Sequence, residues 1–429
     1  MAMPVNSLTL SADGSRIGYL LEIKEPADPA TADRTFPLRR AVVIDGKRSG
    51  EYLDATPPIF NADGTQVAYA AHEQGIGWRI WRNGTPGRSF EQIALGGRQA
   101  AAKFAPDWMQ NDSGFSADGR HFCYTGYRKD GWYAVVDDAE YGPYARIQGL
   151  TFAGDGGGTH LFGFVAAHPD GTMALVVDGT VERGYARIIG PVFSADGERM
   201  TFAARRATER ADVIAGIGER DLIVDGTVRT PPVLNADGTH VAYLVYGAKG
   251  ESAVWLDGAR VYSPPAGAPA LGTNLITSFT FTPDGESVVF SDGHALVVRG
   301  KVTAAYPRAS WRYAFTPDGK LAYVRYTDDG KQRVVIGDRA YPPVEGTVMG
   351  LTFSPDGDLL YAADSWTPGS TRGDTSRVNI YVNDALHGSY DLMLPFPYDI
   401  QPRFFFDAPD RAHYFAVRDG QIHRVAVAL

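Results

Sequence analysis

The sequence predicts an all-β chain, a β-propeller of four-stranded antiparallel blades, and two observations carry that prediction. A short phrase recurs along the 429 residues: an apolar residue, a small polar one, Ala or Pro, then Asp-Gly, then an alternating apolar run. After each copy a second apolar run follows, commonly ending in Asp-Gly or Asn-Gly. Two hairpins per unit of about 43 residues give four strands, the size of one blade.

The clearest copies place Asp13, Asp63, Asp118, Asp196, Asp237, Asp284, Asp318 and Asp356 each before a glycine. Phe152-Ala-Gly-Asp-Gly156 and Phe406-Asp-Ala-Pro-Asp410 are weaker copies. These aspartates are structural turn residues, because Asp caps its own turn and Gly accepts a positive φ. Calcium loops need a denser set of oxygen ligands than any copy offers. One unit reads as Pro232-Val-Leu-Asn, then His240 to Tyr246, then Ser252 to Leu256, then a strand around Arg260 to Tyr262. Third strands recur at Val42, Ile80, Leu175, Leu222 and Leu296, with β-branched residues enriched as strands prefer.

Ten units start near Leu8, Ile59, Gly114, Leu150, Val192, Val233, Phe279, Tyr313, Leu351 and Phe404. The expectation is one domain over 1–429, a single ring of ten blades; two rings, or eight blades with extra strands, are the alternatives. The last unit ends on a third strand, so residues 2–6 are expected to complete it and remove an exposed edge. Thr56-Pro-Pro-Ile-Phe-Asn-Ala-Asp-Gly64 matches Thr230-Pro-Pro-Val-Leu-Asn-Ala-Asp-Gly238, which points to duplication of a block of units.

The phrases resemble the TolB-like, WD-repeat-like propeller family, whose unit reads roughly Phe-Ser-Pro-Asp-Gly-Lys, then Ile-Ala-Tyr, then a strand ending in Asp-Gly. The resemblance runs from Leu8 to Leu429 and implies the fold. It leaves function open, because the family includes binding scaffolds, accessory domains of peptidases and some lyases. The Gly-x-Ser-x-Gly elbow of the peptidase relatives is absent from the sequence.

A net charge of −9 and a pI near 5.5 argue against a nucleic-acid partner. A single cysteine, Cys123, leaves no internal disulfide and reads as a small buried hydrophobe. No apolar run approaches the length of a membrane span, so no membrane insertion is expected. The N-terminus shows neither a basic region nor an apolar stretch, which reads as cytoplasmic, or extracytoplasmic if that end is processed or engineered. No cofactor and no metal is expected. The Gly154-Asp-Gly-Gly-Gly158 run precedes a strand rather than a helix, and so reads as a distorted turn rather than a phosphate cradle. His121, His160 and His240 occupy equivalent second-strand starts, while His72, His168, His294 and His387 show no ligand spacing.

In an up-and-down blade the first-to-second and third-to-fourth turns share one end of the sheet. The second-to-third loops and the links between blades share the other. Long insertions are expected at that second end: Lys24 to Arg40, Pro86 to Asp112, Arg205 to Arg220, Ala259 to Ser278, Asp364 to Arg377 and Gly388 to Arg403. Long loops on a rigid scaffold commonly carry binding. Trp108, Trp366, Trp132 and Trp78, with Arg39, Arg40, Arg205 and Arg206, are therefore the candidate partner-binding residues; Trp311 falls near the same end. Each ring could instead pack a loop onto its blade, and each arginine pair could serve a local salt bridge.

The expected function is a non-enzymatic scaffold engaging a protein or peptide through the long loops. The alternative is a carbohydrate-active hydrolase or lyase in the axial cleft of the same face. Glu25, Glu91, Asp107, Asp112, Glu209, Asp364 and Asp374 are the carboxylates at hand, and a glycosidase needs two at a set separation. Catalytic residues and oligomeric state stay unassigned.

Overall fold

Asp-Gly does two different jobs in this chain, and together they fix the up-and-down order of its strands. The structure, a computed structural model, describes residues 7–11, 13–24, 38–95, 98–100, 114–154, 157–216, 221–247, 251–264, 279–291, 295–305, 312–365, 377–394 and 404–429. Among them no α-helix forms, so none is long and apolar enough to cross a membrane.

In the repeated phrase the glycine amide donates to the carbonyl three residues earlier: Gly14 to Ser11 at 2.9 Å, Gly119 to Ser116 at 2.9 Å, Gly285 to Thr282 at 2.8 Å. Only the glycine is left-handed there, with φ of 65°, 72° and 73°. This is a type I turn closed by glycine, not the two-residue hairpin that Asp-Gly ordinarily signals. The aspartate caps it. Asp13 accepts the Ser11 hydroxyl at 2.6 Å and the Ser15 amide at 3.0 Å, and Asp63 accepts the Thr65 amide and hydroxyl at 2.9 and 2.6 Å.

The third-to-fourth turns use the other geometry. Asp45-Gly46, Asp178-Gly179 and Asp257-Gly258 hold both residues at positive φ, 50° and 75°, 50° and 82°, 50° and 82°. That is the two-residue turn whose twist matches the flanking strands. Its aspartate reaches across to the start of the second strand. The Ile17 amide donates to Asp45 at 3.0 Å and the Val241 amide to Asp257 at 2.9 Å.

The strands form nine antiparallel sheets among the described residues, built on up-and-down meanders, with the first strand split in several of them. The first runs Thr9–Leu10, Ile17–Lys24, Leu38–Ile44, Lys47–Arg48. The units expected at Leu150 and Val192 share one seven-stranded sheet. Its strand Thr180–Phe193 pairs with Met173–Val177 by its first half and with Met200–Arg206 by its second. The chain divides into two compact units, Met1–Ala259 and Arg260–Leu429.

Within each unit, second and third strands are apolar on both faces where neighbouring sheets cover both sides. In the first unit Ala68 and Ala70 pack with Phe122, Tyr124 and Val135 of the following sheet, whereas Tyr69 and Ala71 pack with Leu20, Val42 and Tyr52 before them. In the second unit Tyr361 and Ala363 join Val324 and Val334, while Leu360 and Ala362 join Ala412 and Tyr414. Each fully buried large side chain stabilises by roughly 1.5–3 kcal/mol. Face-to-face packing of successive sheets is thus the principal source of stability in both units.

Two expectations need correction. Leu222–Val224 is a fourth strand, not a third, because it pairs with Asp212–Ala215, which itself pairs with the second strand Met200–Arg206. Asp212-Val-Ile-Ala215 is only four residues long but wholly buried, too short a run to stand out in the sequence. The supposed insertion from Arg205 to Arg220 therefore contains the third strand, and its second-to-third loop is merely Ala207 to Ala211. First strands also begin earlier than expected. Asp54–Ala55, Gln92–Leu95, Arg146–Phe152, Thr227–Val228, Thr347–Phe353 and Leu392–Leu394 each pair with a second strand ahead of, or at the head of, the repeat phrase.

Candidate functional site

The first strand is where the repeats differ most, and the difference is concentrated at one point. In seven places among the described residues this strand has two halves with a break in its ladder between them. In Arg146–Phe152, Thr180–Phe193 and Thr347–Phe353 the break is a register shift, at Gln148/Thr151, Ile189/Val192 and Met349/Thr352. Gly149 sits in one break with φ 61°. A Cβ there would lie 3.1 Å from the Gly190 carbonyl oxygen of the next break, so successive first strands approach closely at this level. Two other breaks hold Pro57-Pro58 and Pro231-Pro232, which lack the amides a ladder requires.

In two sheets the break is opened by long segments. Residues 96–113 separate the half-strand Gln92–Leu95 from Gly114–Phe115, with Arg98–Ala100 folded back on Leu95. Residues 395–404 separate Leu392–Leu394 from Phe405–Ala408. The insertions expected over Pro86 to Asp112 and Gly388 to Arg403 thus begin with ordered outer strands, Thr85–Phe90 and Ala385–Tyr390, and then interrupt a first strand.

Beside three successive breaks, two in the seven-stranded sheet and one in the sheet after it, lies a cavity of about 700 Å³. Gln148, Thr151, Phe152, Pro191, Phe193 and Arg229 line it, with backbone at Gly149, Gly154 and Gly190. Arg229 is exposed, its guanidinium lies 5.2 Å from the Tyr246 ring centroid, and among the described residues it has no ion pair. One cation, two phenyl rings and irregular backbone on a rigid rim make a concave binding surface.

The expected partner residues that the structure describes are not gathered there. Trp108, Trp366 and Trp311 lie outside the described residues. Trp78 is 3% exposed, stacked on His72 at 5.2 Å, and belongs to the core between two sheets, so its ring packs the fold and offers no surface. Trp132 is half-buried, 5.3 Å from the Tyr127 ring. Arg40 pairs with Asp54 at 2.5 Å and with Glu22 at 3.7 Å; Arg206 lies over the Tyr185 ring and pairs with Glu182 at 3.5 Å. Arg39 donates to Gln74 at 3.5 Å, and Arg205 stands opposite Arg187 on the neighbouring strand. Both pairs sit in strands rather than loops, and Arg40 and Arg206 are matched locally.

Of the carboxylates, Glu91 and Glu209 are exposed and far apart in the sheet order, while Asp364 is buried at a strand end. Glu25, Asp107, Asp112 and Asp374 lie outside the described residues. Among the described residues no group of three His, Cys, Asp or Glu side chains could hold a metal ion.

Other polar pairs escaped the sequence reading. Arg187 forms a salt bridge with Asp212, 1% exposed, whose carboxylate also accepts the Val228 amide at 2.9 Å. Gln332 plays the same part, accepting the Val348 amide at 2.7 Å. Each ties the head of a third strand to the first strand of the following sheet, a pairing that no local motif announces. Asp13, Asp63, Asp118, Asp196, Asp237, Asp284 and Asp318 all lie below the usual carboxylate value; Asp13 is held down to about 2, by the Ser11 hydroxyl first and then by Ser15.

No family model matches the chain, and no curated protein matches it. Among solved structures, TolB from Acinetobacter baumannii is 17% identical with a TM-score of 0.26, over 57% of this chain and 62% of that one. The β-propeller domain of the Trilobed protease from Pyrococcus furiosus is 12% identical with a TM-score of 0.29, over 76% of this chain and 91% of that one. Saccharomyces cerevisiae Sqt1 is 12% identical with a TM-score of 0.34, over 74% and 95%. This chain therefore spans under two thirds of that TolB, and no activity passes to it from these likenesses.

Proposed function

We infer that the chain is a β-propeller scaffold, one domain over 1–429 closed by residues 2–6, that binds a protein or peptide partner and is not an enzyme. The cavity beside the first-strand breaks carries this reading. In a propeller, first strands line the axial opening, and residues 96–113 interrupt a first strand of the same unit at the kind of break the cavity borders. A rigid rim with variable chain inserted at one level is the arrangement of a binding surface. Arg229, with no ion pair among the described residues, suits a carboxylate, and Phe152 and Phe193 suit apolar side chains of an extended segment.

The test is crosslinked affinity capture with the intact protein, an Arg229→Ala variant, and a variant with residues 97–112 replaced by a short Gly-Ser link. Any captured protein is then purified and titrated against all three. Binding by the intact protein, weakened at least tenfold in both variants at unchanged melting temperature, supports the reading. Equal affinity for all three removes the site, and turnover or retention on immobilised glycans favours the carbohydrate-directed alternative.

A further inference from the structure

A second concave site lies between the first and second sheets, away from the cavity above. It is a groove of about 540 Å³ lined by Tyr52, Tyr69 and Trp81, with Ser49 and Gly50 on one wall and Glu73 and Ile76 at its rim. Tyr69 and Trp81 are cross-strand partners with rings 6.2 Å apart and 2° from parallel. Tyr52 closes the floor, its hydroxyl 3.1 Å from that of Tyr69 and its ring 6.0 Å from Trp81.

The internal repeat shows what such a groove is shaped to hold. Tyr361 and Tyr381 form the equivalent stacked pair in the second unit, 5.0 Å apart. The equivalence is set by hydrogen bonds: Asn83 accepts the Val67 amide as Asn383 accepts the Leu359 amide, two residues before each tyrosine. On the opposite wall, Arg40 bridges Tyr52 as Gln332 bridges Val344. The Ser49 amide donates to the Val42 carbonyl as the Tyr341 amide donates to Val334. Ser49 therefore stands where the other copy has Tyr341. That ring is 6% exposed, packed in one cluster with Tyr361. At the same place opposite Ile214, Leu222 packs in the cluster that includes Trp255.

Two copies fill this space with their own side chain, and the copy at Ser49 leaves it open beside three aromatic rings. We propose that the groove takes an aromatic side chain, tyrosine or phenylalanine, of a partner peptide. Of the charged side chains in the lining, Glu73 pairs with Arg79 at 2.6 Å, Glu51 pairs with Arg48 at 2.6 Å, and Arg39 donates to the neutral Gln74 at 3.5 Å. The groove so offers three ring faces and two tyrosine hydroxyls, with Arg39 also in its lining, which complements a phenol or phenyl ring over an aliphatic side chain. Ile76, 51% exposed at the rim, supplies apolar surface for the residue next to the inserted ring. This shares with the function above only that the partner is a peptide.

The test uses small probes and the full chain, so that it reads this groove alone. Saturation-transfer NMR is recorded with N-acetyltyrosinamide, N-acetylleucinamide and methyl β-galactoside. The ring protons of N-acetyltyrosinamide should give the strongest signal, retained in Ser49→Ala and reduced at least fivefold in Ser49→Tyr, which supplies the missing ring from within. Ser49→Tyr should also melt higher than Ser49→Ala. If Ser49→Tyr does not fold, Gly50→Phe replaces it, because a Cβ at Gly50 meets no atom within 4 Å. No signal in the parent, an equal signal in the filled variant, or an equal or stronger signal from the leucine or galactoside probe overturns the proposal. Any of those results leaves the Arg229 and loop experiments to decide the other site.

Discussion

Asp257 holds the second strand of its sheet at two points: Oδ1 accepts the Val241 amide at 2.9 Å, and Oδ2 lies 2.6 Å from Nδ1 of His240. The same clasp joins Asp137 to Phe122 and His121, and Asp178 to Phe162 and His160. In the first sheet Arg16 takes the histidine's place, with Nε donating to Asp45 at 2.9 Å. The turn between strands three and four thereby locks the start of strand two, and the turn end of each sheet is knit across its width.

Removing the clasp should separate turn chemistry from charge. Asp257→Asn keeps an acceptor for the Val241 amide and tolerates the left-handed backbone, so its loss should be under about 1 kcal/mol. Asp257→Ala loses the acceptor and strains the φ of 50°, for a loss of roughly 2–3 kcal/mol. Urea unfolding compares them; equal midpoints for the two variants would refute the clasp.

Acid should weaken the sheets through the repeat turns. Asp13 and Asp118 are both lowered to about 2. For Asp118, burial pushes upward but is outweighed by the Ser116 hydroxyl and by the amide and guanidinium of Arg120. A carboxyl lowered in the folded state stabilises fully above its unfolded value, near 4, and loses that contribution as pH falls towards about 2. Melting temperature measured from pH 5 to pH 2 should fall more gently in Asp118→Asn than in the parent. Parallel curves would mean that the turn does not carry the effect.

The buried Arg187–Asp212 pair should matter more than any exposed pair. Asp212→Ala leaves the guanidinium and the Val228 amide without their acceptor inside the first unit, at roughly 3–5 kcal/mol. Arg206→Ala, which removes an exposed pair, should change stability by about 1 kcal/mol or less. Denaturant midpoints for the two variants test this; a similar small loss in both would show that Asp212 is not a structural tie.

Trp78 and Arg205 were equal candidates on sequence grounds and should behave oppositely. Trp78→Ala removes a core ring and should lose roughly 3–5 kcal/mol. Arg205→Ala, at a half-exposed position, should stay within about 0.5 kcal/mol of the parent. A folded, stable Trp78→Ala protein with weakened partner binding would return that residue to the surface.

Much of the fold was legible because its determinants are local. Asp45-Gly46 and Asp257-Gly258 mark turns by residue type alone, and His240 to Tyr246 announces a strand by its β-branched and aromatic content. Asp212-Val-Ile-Ala215 was not legible, since three apolar residues after an aspartate carry too little periodicity to outweigh the stronger run at Leu222. The partners of His121, His160 and His240 stayed hidden for a related reason. Each lies 16 to 18 residues away, across two strands, and becomes a neighbour only when the meander forms.

The sequence by itself determined the all-β class, the repeat length and the turns, because a left-handed glycine or a capping aspartate acts within four residues. It also determined which strands are apolar on both faces, as Ala68-Tyr69-Ala70 is. Only the tertiary structure decided that Trp78 is core, that two of the expected insertions open within first strands, and that Ser49 leaves unfilled a space that Tyr341 fills in another repeat. Those outcomes depend on which side chains meet across sheets, and residues distant in sequence are brought together only by the packing of one sheet on the next.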